Sequence, residues 1–330
     1  MLKTGKLESQ LLEKLVFQNI RFRRPEVLTR PGIGEDCAVI DFGSYECILS
    51  TDPITAAVKD IGRLAVHISC NDVAANGIEP LGIMLAIMLP EGTTEDEIHQ
   101  IMAQAGKASE ELGVEIIGGH TEITPAVTKP VIVSTALGRG AKWASQNAEN
   151  MNPGDLVYIT KAAGLEGTGI IATDREEELK EVLSPEELMN AKDLMNQVSV
   201  VAEGVLAGNI GTNGMHDVTE GGILGAIWEM CQVADTGAEI YVDQIPVEAV
   251  TKKICEYFDI DYLRLISSGS MMIMVSPDKK QSMEKAMKEA YIPFTQIGVI
   301  RPKEEGIIMV VGEERIQIAS PTTDEIYKAV

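Results

Sequence analysis

The sequence has few aromatic residues and few positive charges, and each shortage excludes a class of protein. Aromatic residues make up 4% of the 330 residues while methionine occurs 15 times, so we expect an aliphatic core in which methionine fills gaps. Lysine and arginine number 28 against 50 aspartates and glutamates, which leaves a net charge of -22. Because nucleic-acid phosphates demand a surplus of basic residues, this charge excludes a nucleic-acid-binding protein and disfavours an anionic membrane surface.

Long apolar runs and cysteine motifs are missing as well. No run approaches the roughly 18–20 residues that a membrane-spanning helix needs. Charges interrupt the apolar positions over 7–15, so we expect an amphipathic helix there rather than a signal peptide. The five cysteines form no CxxC pair and no metal-ligand spacing, which predicts buried free thiols in a reducing cytoplasm. A catalytic thiol is the weaker alternative.

The length and one loop-forming segment predict two domains. A chain of 330 residues is too long for one ordinary core and suits two domains of about 150 residues each. Residues 150–155, Asn-Met-Asn-Pro-Gly-Asp, are typical of a loop. We therefore expect domains at residues 1–149 and 150–330. Strands and helices alternate irregularly, so the predicted fold class is α/β (or α+β), with a mixed sheet in the first domain.

A buried helix over 60–75 carries a carboxylate near its end. Its apolar residues recur at helical spacing, Asp60 can cap its start, and Asn76-Gly77 can end it. The next run, residues 81–89, is almost wholly apolar and predicts a strand. Asp72 is a poor choice for packing against such neighbours, because burying a lone carboxylate is costly. It is either a helix-terminal residue satisfied by backbone donors or part of a metal or phosphate site.

Four short polar segments favour the second interpretation. Each is expected in a loop beside a strand or helix end: residues 34–36 (Gly-Glu-Asp), 50–52 (Ser-Thr-Asp), 71–72 (Asn-Asp) and 118–122 (Gly-Gly-His-Thr-Glu). Mg²⁺ prefers oxygen ligands of this kind. Carboxylates repel polyphosphate but hold it through bridging ions, while glycine backbone N–H groups approach the phosphates. The segments match neither a P-loop nor GxGxxG, and no GxSxG accompanies the four histidines.

In this order, the segments resemble the superfamily of aminoimidazole ribonucleotide (AIR) synthase, thiamine-monophosphate kinase, selenophosphate synthetase and the hydrogenase-maturation protein HypE. That family has a glycine with paired acids, Ser-Thr-Asp, Asp-x-Ala-Ala-x-Gly (here 72–77) and Gly-Gly-x-Thr. Residues 60–66 with 71–72 look most like the HypE branch, as do residues 216–222 and 268–270 in the second half. The resemblance extends from about Pro31 to about Val311.

The resemblance implies two domains, a dimer formed through the N-terminal sheets, and ATP bound with Mg²⁺ to phosphorylate or dehydrate a substrate oxygen. The implied metal ligands are Asp36, Asp52 and Asp72, and Glu122 could substitute for the Asp that related enzymes often have at position 120. Asp72 and His120 are the candidate catalytic residues; His120 could ligate a metal or act as a general base, or could equally be a loop residue hydrogen-bonded to the backbone. The implied nucleotide-binding residues are Gly34, Asp36, Ser50, Thr51, Asn71, Gly118, Gly119 and Thr121. Implied partners are a carbonyl- or carbamoyl-type substrate, small or protein-borne, a second copy of the chain, and a maturation factor.

Several positions depart from the family pattern. No cysteine follows Cys255, so the HypE reaction, which uses a C-terminal cysteine, is not expected in cis. No cysteine precedes Cys37, which removes the reactive residue of selenophosphate synthetase. His120 replaces a frequent Asp, Ser268 a Glu and Glu220 an Arg. A catalytically silent nucleotide-binding partner therefore stays open beside the enzyme, and a purine-pathway synthase is a weaker third reading. His216, beside Asp217, is either functional or structural.

Overall fold

The structure is a computed structural model that describes residues 7, 9–55, 60–146, 148–321 and 323–329. Helix α1 (Ser9–Leu15) falls within the predicted amphipathic segment. The remaining predicted positions of the N-terminal helix before residue 9 are either non-helical or outside the described residues. No helix in the described ranges is long and apolar enough to cross a membrane. The cysteines are free thiols, four of them buried and Cys47 partly exposed.

The first half of the chain builds a six-stranded mixed sheet. Its strands are β1 (Val27–Thr29), β2 (Ala38–Asp41), β3 (Tyr45–Ile54), β4 (Pro80–Leu89), β5 (Glu115–Ile123) and β6 (Val131–Ala141). Their order across the sheet is β1-β2-β3-β6-β4-β5, antiparallel except for the parallel pair β4 and β5. Helices α2 (Ile61–Ala75) and α3 (Glu95–Leu112) pack with it into one apolar core.

The second half builds a seven-stranded mixed sheet. Its strands are β7 (Leu156–Thr160), β8 (Gly214–Asp217), β9 (Gly237–Tyr241), β10 (Met271–Val275), β11 (Phe294–Arg301), β12 (Ile307–Val311) and β13 (Glu314–Gln317). They lie in the order β13-β12-β9-β11-β7-β10-β8, so β8 is an edge strand. Its helices are α4 (Leu165–Asp174), α5 (Glu176–Leu179), α6 (Pro185–Asp193), α7 (Val201–Ile210), α8 (Gly222–Ala234), α9 (Ala249–Phe258) and α10 (Lys280–Glu289). The predicted α/β fold class with a mixed first sheet is confirmed.

Helix α2 lies between the two halves of the molecule. Thirteen of its fifteen residues are buried, because one face meets β3 and β6 while the other meets α7 and β8. Two glycines of α7 permit this close approach: a Cβ on Gly204 would lie 2.4 Å from the Ala74 carbonyl oxygen, and one on Gly208 would lie 2.4 Å from Gly77 Cα. Whatever α2 carries at its C-terminal end therefore lies between the two sheets.

Local capping signals mark the ends of several helices. Thr94 and Ser184 begin α3 and α6 as capping boxes, and Gly113 ends α3 in the left-handed conformation. Gly77 follows α2 with a φ of 76°, as expected of a left-handed stop. Asp60 occupies the cap position of α2, although its side chain makes no capping hydrogen bond within the described part of the chain.

Two predicted loops are wrong because strand pairing extends through them. The segment 50–53 was expected after a strand ending at Ser50, but β3 continues to Ile54 and pairs with β6 along its whole length. The glycine turn expected over 118–122 is instead the second half of β5, which pairs in parallel with β4. In both places a neighbouring strand supplies the backbone hydrogen bonds, which overrides local turn propensity.

Candidate functional site

Three predicted aspartates from distant parts of the first half of the chain come together at the end of α2. Asp72 lies in the last turn of α2, Asp52 on β3, and Asp36 in the segment before β2. The Ser50 hydroxyl donates hydrogen bonds to Asp72 and, at 3.3 Å, to Asp52. Side chains alternate along a strand, so Ser50 and Asp52 share the face of β3 that looks toward α2.

A fourth aspartate reaches this cluster from the second half of the chain. Asp217 ends β8 and is 1% exposed, and neither of its carboxylate oxygens has a hydrogen-bond partner among the described residues. We define Asp36, Asp52, Asp72 and Asp217 as the acidic cluster. A buried carboxylate without hydrogen bonds is costly, so the cluster fits one or more divalent cations.

Electrostatics show how strongly these carboxylates repel one another. Burial raises the pKa of Asp72 well above its usual range, and the charges of Asp217, Asp52 and Asp36 raise it further. The pKa of Asp217 rises to about 7, through burial first and the charge of Asp36 second, although His216 partly offsets the rise. Burial and the same four aspartates also raise the pKa of the Cys37 thiol, which makes Cys37 a poor nucleophile.

His216 lies at the edge of the acidic cluster. It is 3% exposed, and its Nδ1 contacts the Asp217 carbonyl oxygen at 2.5 Å. Its Nε2 lies 3.5 Å from Asp36 Oδ1 and 3.6 Å from Glu229 Oε2 of α8. Burial lowers the pKa of His216, but the carboxylates of Asp36, Glu229 and Asp217 outweigh burial, so the pKa is raised overall.

A cavity of about 390 Å³ opens beside Glu35, the neighbour of Asp36 in the chain. Its lining includes Arg30, Glu35, Glu149 and Val233. Burial raises the pKa of Glu35 to about 7, with smaller contributions from Glu149 and Asp36, which shows that Glu35 belongs to the same electrostatic neighbourhood as the cluster. Gly34 is required beside this cavity, because a Cβ there would lie 2.8 Å from Val233 Cγ2 of the wall.

Thr51 and Asn71, two predicted nucleotide-binding residues, make hydrogen bonds to backbone groups outside the acidic cluster. Thr51 points to the opposite face of β3 from Asp52, where it donates to the Ser134 carbonyl at 3.0 Å. The Asn71 amide donates to the Val198 carbonyl at 2.8 Å and accepts from the Val200 N–H at 2.9 Å. Asn71 thus joins α2 to the segment that precedes α7.

The predicted residues of β5 lie apart from the acidic cluster. The pairing register places Gly119 opposite Leu85, Leu85 opposite Ser134, and Ser134 opposite Asp52. Gly119 and Asp52 are therefore separated by roughly 14 Å, which is three strand spacings of about 4.8 Å. Gly118, His120, Thr121 and Glu122 share this exposed edge strand.

Glu122, a predicted metal ligand, lies on this edge strand, apart from the acidic cluster. His120 Nε2 lies 3.3 Å from Glu122 Oε2, and both side chains are well exposed. One ion cannot bind Glu122 and Asp72 together, because metal–oxygen bonds are about 2.0–2.6 Å long. Glu122 would need a second ion. A Cβ on Gly119 would lie 1.9 Å from the Leu85 carbonyl oxygen, so this glycine is required for the close pairing of β4 and β5.

Asp217 and Glu229 belong to the site but were not predicted from the sequence. Asp217 lies in the segment 216–222, and the family resemblance of that segment was the available signal. Glu229 lies inside an apolar helix, where a carboxylate at 6% exposure indicates a special environment.

The fold and the acidic cluster define a two-domain α/β protein with an anionic site between its halves. Matches to known families agree: residues 34–140 match the AIR synthase related protein, N-terminal domain, and residues 152–311 match the corresponding C-terminal domain. The chain therefore belongs to the AIR synthase related protein family, and the predicted superfamily is confirmed.

Relatives in this family have names that denote enzymes. Carbamoyl dehydratase HypE of Bradyrhizobium diazoefficiens is 27% identical over 77% of this chain and 74% of its own length. Selenide, water dikinase of Enterobacter sp. strain 638 is 26% identical over 89% of this chain and 90% of its own length. These names agree with the prediction of an enzyme.

Solved structures share the fold. HypE in a HypE–HypF complex superposes with a TM-score of 0.78 at 21% identity, over 94% of this chain and 99% of that one. ThiL complexed with AMPPCP and TMP gives a TM-score of 0.75 at 18% identity, over 97% of this chain and 99% of that one. HypE in complex with ATP gives a TM-score of 0.71 at 20% identity, over 98% of this chain and 97% of that one. The predicted two-domain architecture is confirmed.

Proposed function

We propose that this protein is an ATP- and Mg²⁺-dependent enzyme that phosphorylates an oxygen atom of a carbonyl- or carbamoyl-type substrate. The observation that carries the proposal is the meeting of Asp36, Asp52 and Asp72 with Asp217 across the two halves of the chain. Four buried or half-buried carboxylates in one place favour the binding of cations, and a polyphosphate is the natural further ligand of such cations.

Each aspartate of the acidic cluster, together with Ser50, has a role in this proposal. Asp36, Asp52 and Asp72 would hold Mg²⁺, and the Ser50 hydroxyl keeps the carboxylates of Asp52 and Asp72 oriented toward each other. The ions, when bound, neutralise the charge that develops on the transferred phosphoryl group. Asp217 brings a carboxylate from the second half of the chain to the same cluster, so cation binding there would join the two halves.

Relatives and structural neighbours support the choice of ATP. A HypE structure contains ATP and a ThiL structure contains AMPPCP, while two relatives are named as a dehydratase and a dikinase. The name carbamoyl dehydratase is the reason for preferring a carbamoyl-type oxygen as the phosphoryl acceptor of this chain.

A catalytically silent nucleotide-binding protein is the second candidate, and one observation favours it. His120, the predicted base, lies on β5, where the adjacent Gly119 is separated from Asp52 of the acidic cluster by three strand spacings, or roughly 14 Å. A base there could act on a substrate held beside β5 but not on one bound at Asp72.

Incubation of the purified protein with ATP and Mg²⁺ distinguishes these candidates. ADP or AMP release that rises with a carbamoyl, formamide or alcohol acceptor supports the enzyme. Tight ATP binding without turnover on any acceptor supports the silent partner. EDTA should abolish ATP binding in either case, because the acidic cluster supplies no positive charge of its own. Unchanged ATP affinity in EDTA would contradict the role given to the aspartates.

We further propose a homodimer formed through the N-terminal sheet. Strands β4 and β5 leave several large apolar side chains 42–57% exposed: Leu81, Met84, Ile117 and Ile123. An exposed apolar patch of this kind marks an interaction surface. Light scattering should give twice the monomer mass, and Met84→Asp should shift the protein toward monomer. A monomeric wild type would exclude this dimer.

We also propose a domain boundary, a partner protein and a cellular location. The boundary between residues 149 and 150 lies between the two sheets and between the two family matches. A maturation factor is a candidate partner, because a neighbour of this fold was solved as a HypE–HypF complex. A cytoplasmic location agrees with the free thiols.

A further inference from the structure

His216 is held in an orientation that presents an imidazole lone pair to the acidic cluster. A carbonyl oxygen only accepts hydrogen bonds, so the 2.5 Å contact between Nδ1 and the Asp217 carbonyl requires the proton on Nδ1. In the neutral ring, Nε2 is then unprotonated. A hydrogen bond from one ring nitrogen to a backbone carbonyl, which leaves the other nitrogen for the metal, is the arrangement that orients metal-binding histidines in proteins.

The surroundings of Nε2 require a cation. It is buried without a hydrogen-bond partner among the described residues, and it faces Asp36 Oδ1 at 3.5 Å and Glu229 Oε2 at 3.6 Å. A lone pair opposite two carboxylates is repulsive. A proton on Nε2 would satisfy one of them, but charge-assisted N–H···O bonds are about 2.7–2.9 Å long, shorter than either distance.

The spacing suits a metal ion better than a proton. Two ligands on one ion with bonds of about 2.1 Å and tetrahedral geometry lie roughly 3.4 Å apart. Ligand atoms of Asp36, His216 and Asp217 all lie within 4.8 Å of one another. The unpartnered, buried oxygens of Asp217 are the independent sign that this place is built for a ligand.

The donor set also points to a class of ion. Mg²⁺ takes oxygen ligands and keeps several waters, whereas imidazole suits first-row transition ions such as Mn²⁺, Fe²⁺, Co²⁺ and Zn²⁺. One imidazole among carboxylates therefore selects against Mg²⁺. The selecting residue is His216, which belongs to β8 and not to the predicted Mg²⁺ ligands of the first half.

We propose that His216, Asp217 and Asp36, with Glu229 beside them, form a mixed nitrogen–oxygen site that binds a first-row transition cation in preference to Mg²⁺ and without nucleotide. The inference rests on the proposed function for its place beside the ATP site, but its test needs neither ATP nor turnover. Binding of this ion joins the segment before β2 to β8, so it ties the two halves of the molecule together.

The experiment uses Mn²⁺ as the probe on the full chain, freed of metal and without nucleotide. Pulsed electron paramagnetic resonance should show ¹⁴N coupling from a directly bound imidazole in the wild type. Titration calorimetry should give an affinity for Mn²⁺ at least about tenfold above that for Mg²⁺, because a nitrogen ligand favours the transition ion. His216→Gln should abolish the ¹⁴N coupling and reduce the preference by about tenfold.

His99→Gln, at an exposed position of α3, is the matched control and should retain both properties. Circular dichroism shows whether the His216→Gln protein is folded, and the wild-type ¹⁴N coupling decides the matter if it is not. Absence of this coupling in Mn²⁺-loaded wild type, or equal affinity for Mn²⁺ and Mg²⁺, overturns the proposal. Either result can occur with ATP turnover present or absent, so failure of this site is distinguishable from failure of the proposed activity.

Discussion

The Ser50 hydroxyl of β3 donates a hydrogen bond to the carboxylate of Asp72 on α2, across the interface between sheet and helix. A serine from an extended strand and an aspartate from a buried helix are thereby fixed in one place. The same hydroxyl lies 3.3 Å from Asp52, so a single donor organises two carboxylates of the acidic cluster.

Replacing Asp72 by Asn tests whether that carboxylate serves binding or stability. Asp72→Asn removes a carboxyl group whose ionised form is disfavoured by burial and by three neighbouring aspartates, so the melting temperature without metal should stay the same or rise. Metal-dependent ATP binding should weaken by about tenfold or more, because an amide is a poorer cation ligand. Asp60→Asn, at the start of the same helix, is the control and should change neither. A lower melting temperature with intact ATP binding would mean that Asp72 is structural.

Removal of the Asn71 side chain should loosen α2 from the second half of the chain. Asn71→Ala leaves the Val200 N–H without its acceptor in a buried position, which costs about 1–3 kcal/mol of unfolding free energy. Asn76→Ala removes only a long hydrogen bond of 3.4 Å near the helix end and should cost less than about 1 kcal/mol. Urea unfolding measures both. If both substitutions lower the unfolding free energy equally, the hydrogen bonds of Asn71 to Val198 and Val200 stabilise the protein no more than the long hydrogen bond of Asn76 does.

Two adjacent glycines of β5 separate a structural role from a nucleotide role. Their φ angles are similar, 159° at Gly118 and 148° at Gly119, so an alanine meets comparable backbone strain at each. A Cβ on Gly119 would overlap the Leu85 carbonyl oxygen, whereas one on Gly118 meets no described atom within 4 Å. Gly119→Ala should therefore destabilise the protein by about 2 kcal/mol more than Gly118→Ala. If ATP affinity falls in Gly118→Ala at unchanged stability, the predicted nucleotide contact at this strand gains support.

Glu166, at the start of α4, should make stability depend on pH. Burial raises its pKa to about 7, Ser268 hydrogen bonds oppose the rise, and the charges of Asp324 and Glu220 add to it. Since the folded pKa lies above the unfolded one, the stabilising contribution is fully present below the unfolded carboxyl pKa and is lost as pH rises through 7.

Glu166→Gln should remove this loss. The variant should match wild type near pH 5 and exceed it at pH 8 by at most about 3 kcal/mol, since one pKa unit corresponds to about 1.4 kcal/mol. Denaturant unfolding at the two pH values measures the difference. Glu181→Gln, at an exposed position, should follow the wild-type pH dependence. If the unfolding free energies of Glu166→Gln and wild type change equally with pH, Glu166 is not the source of the pH dependence.

Local sequence signals account for several helix ends and predicted three of the acidic residues of the site. Thr94 with Glu97 and Ser184 with Glu187 contain their whole capping interaction within four residues, so no distant contact was needed to recognise them. Asp36, Asp52 and Asp72 stood out because carboxylates beside apolar runs are costly unless they bind something. The order of these motifs along the chain was enough to predict the family.

Only the tertiary structure decided which of those residues share a site. Strand pairing with β6 and β4 turned two expected loops into β3 and β5, which moved Thr51 to the far face and His120 to a distant edge. Packing of α2 against β8 brought Asp217 and His216 to Asp72 and Asp36, from 144 to 181 residues away along the chain. Short-range propensity determines where a helix begins, but the hydrogen bonds of a sheet and the packing between halves join residues that no local pattern connects.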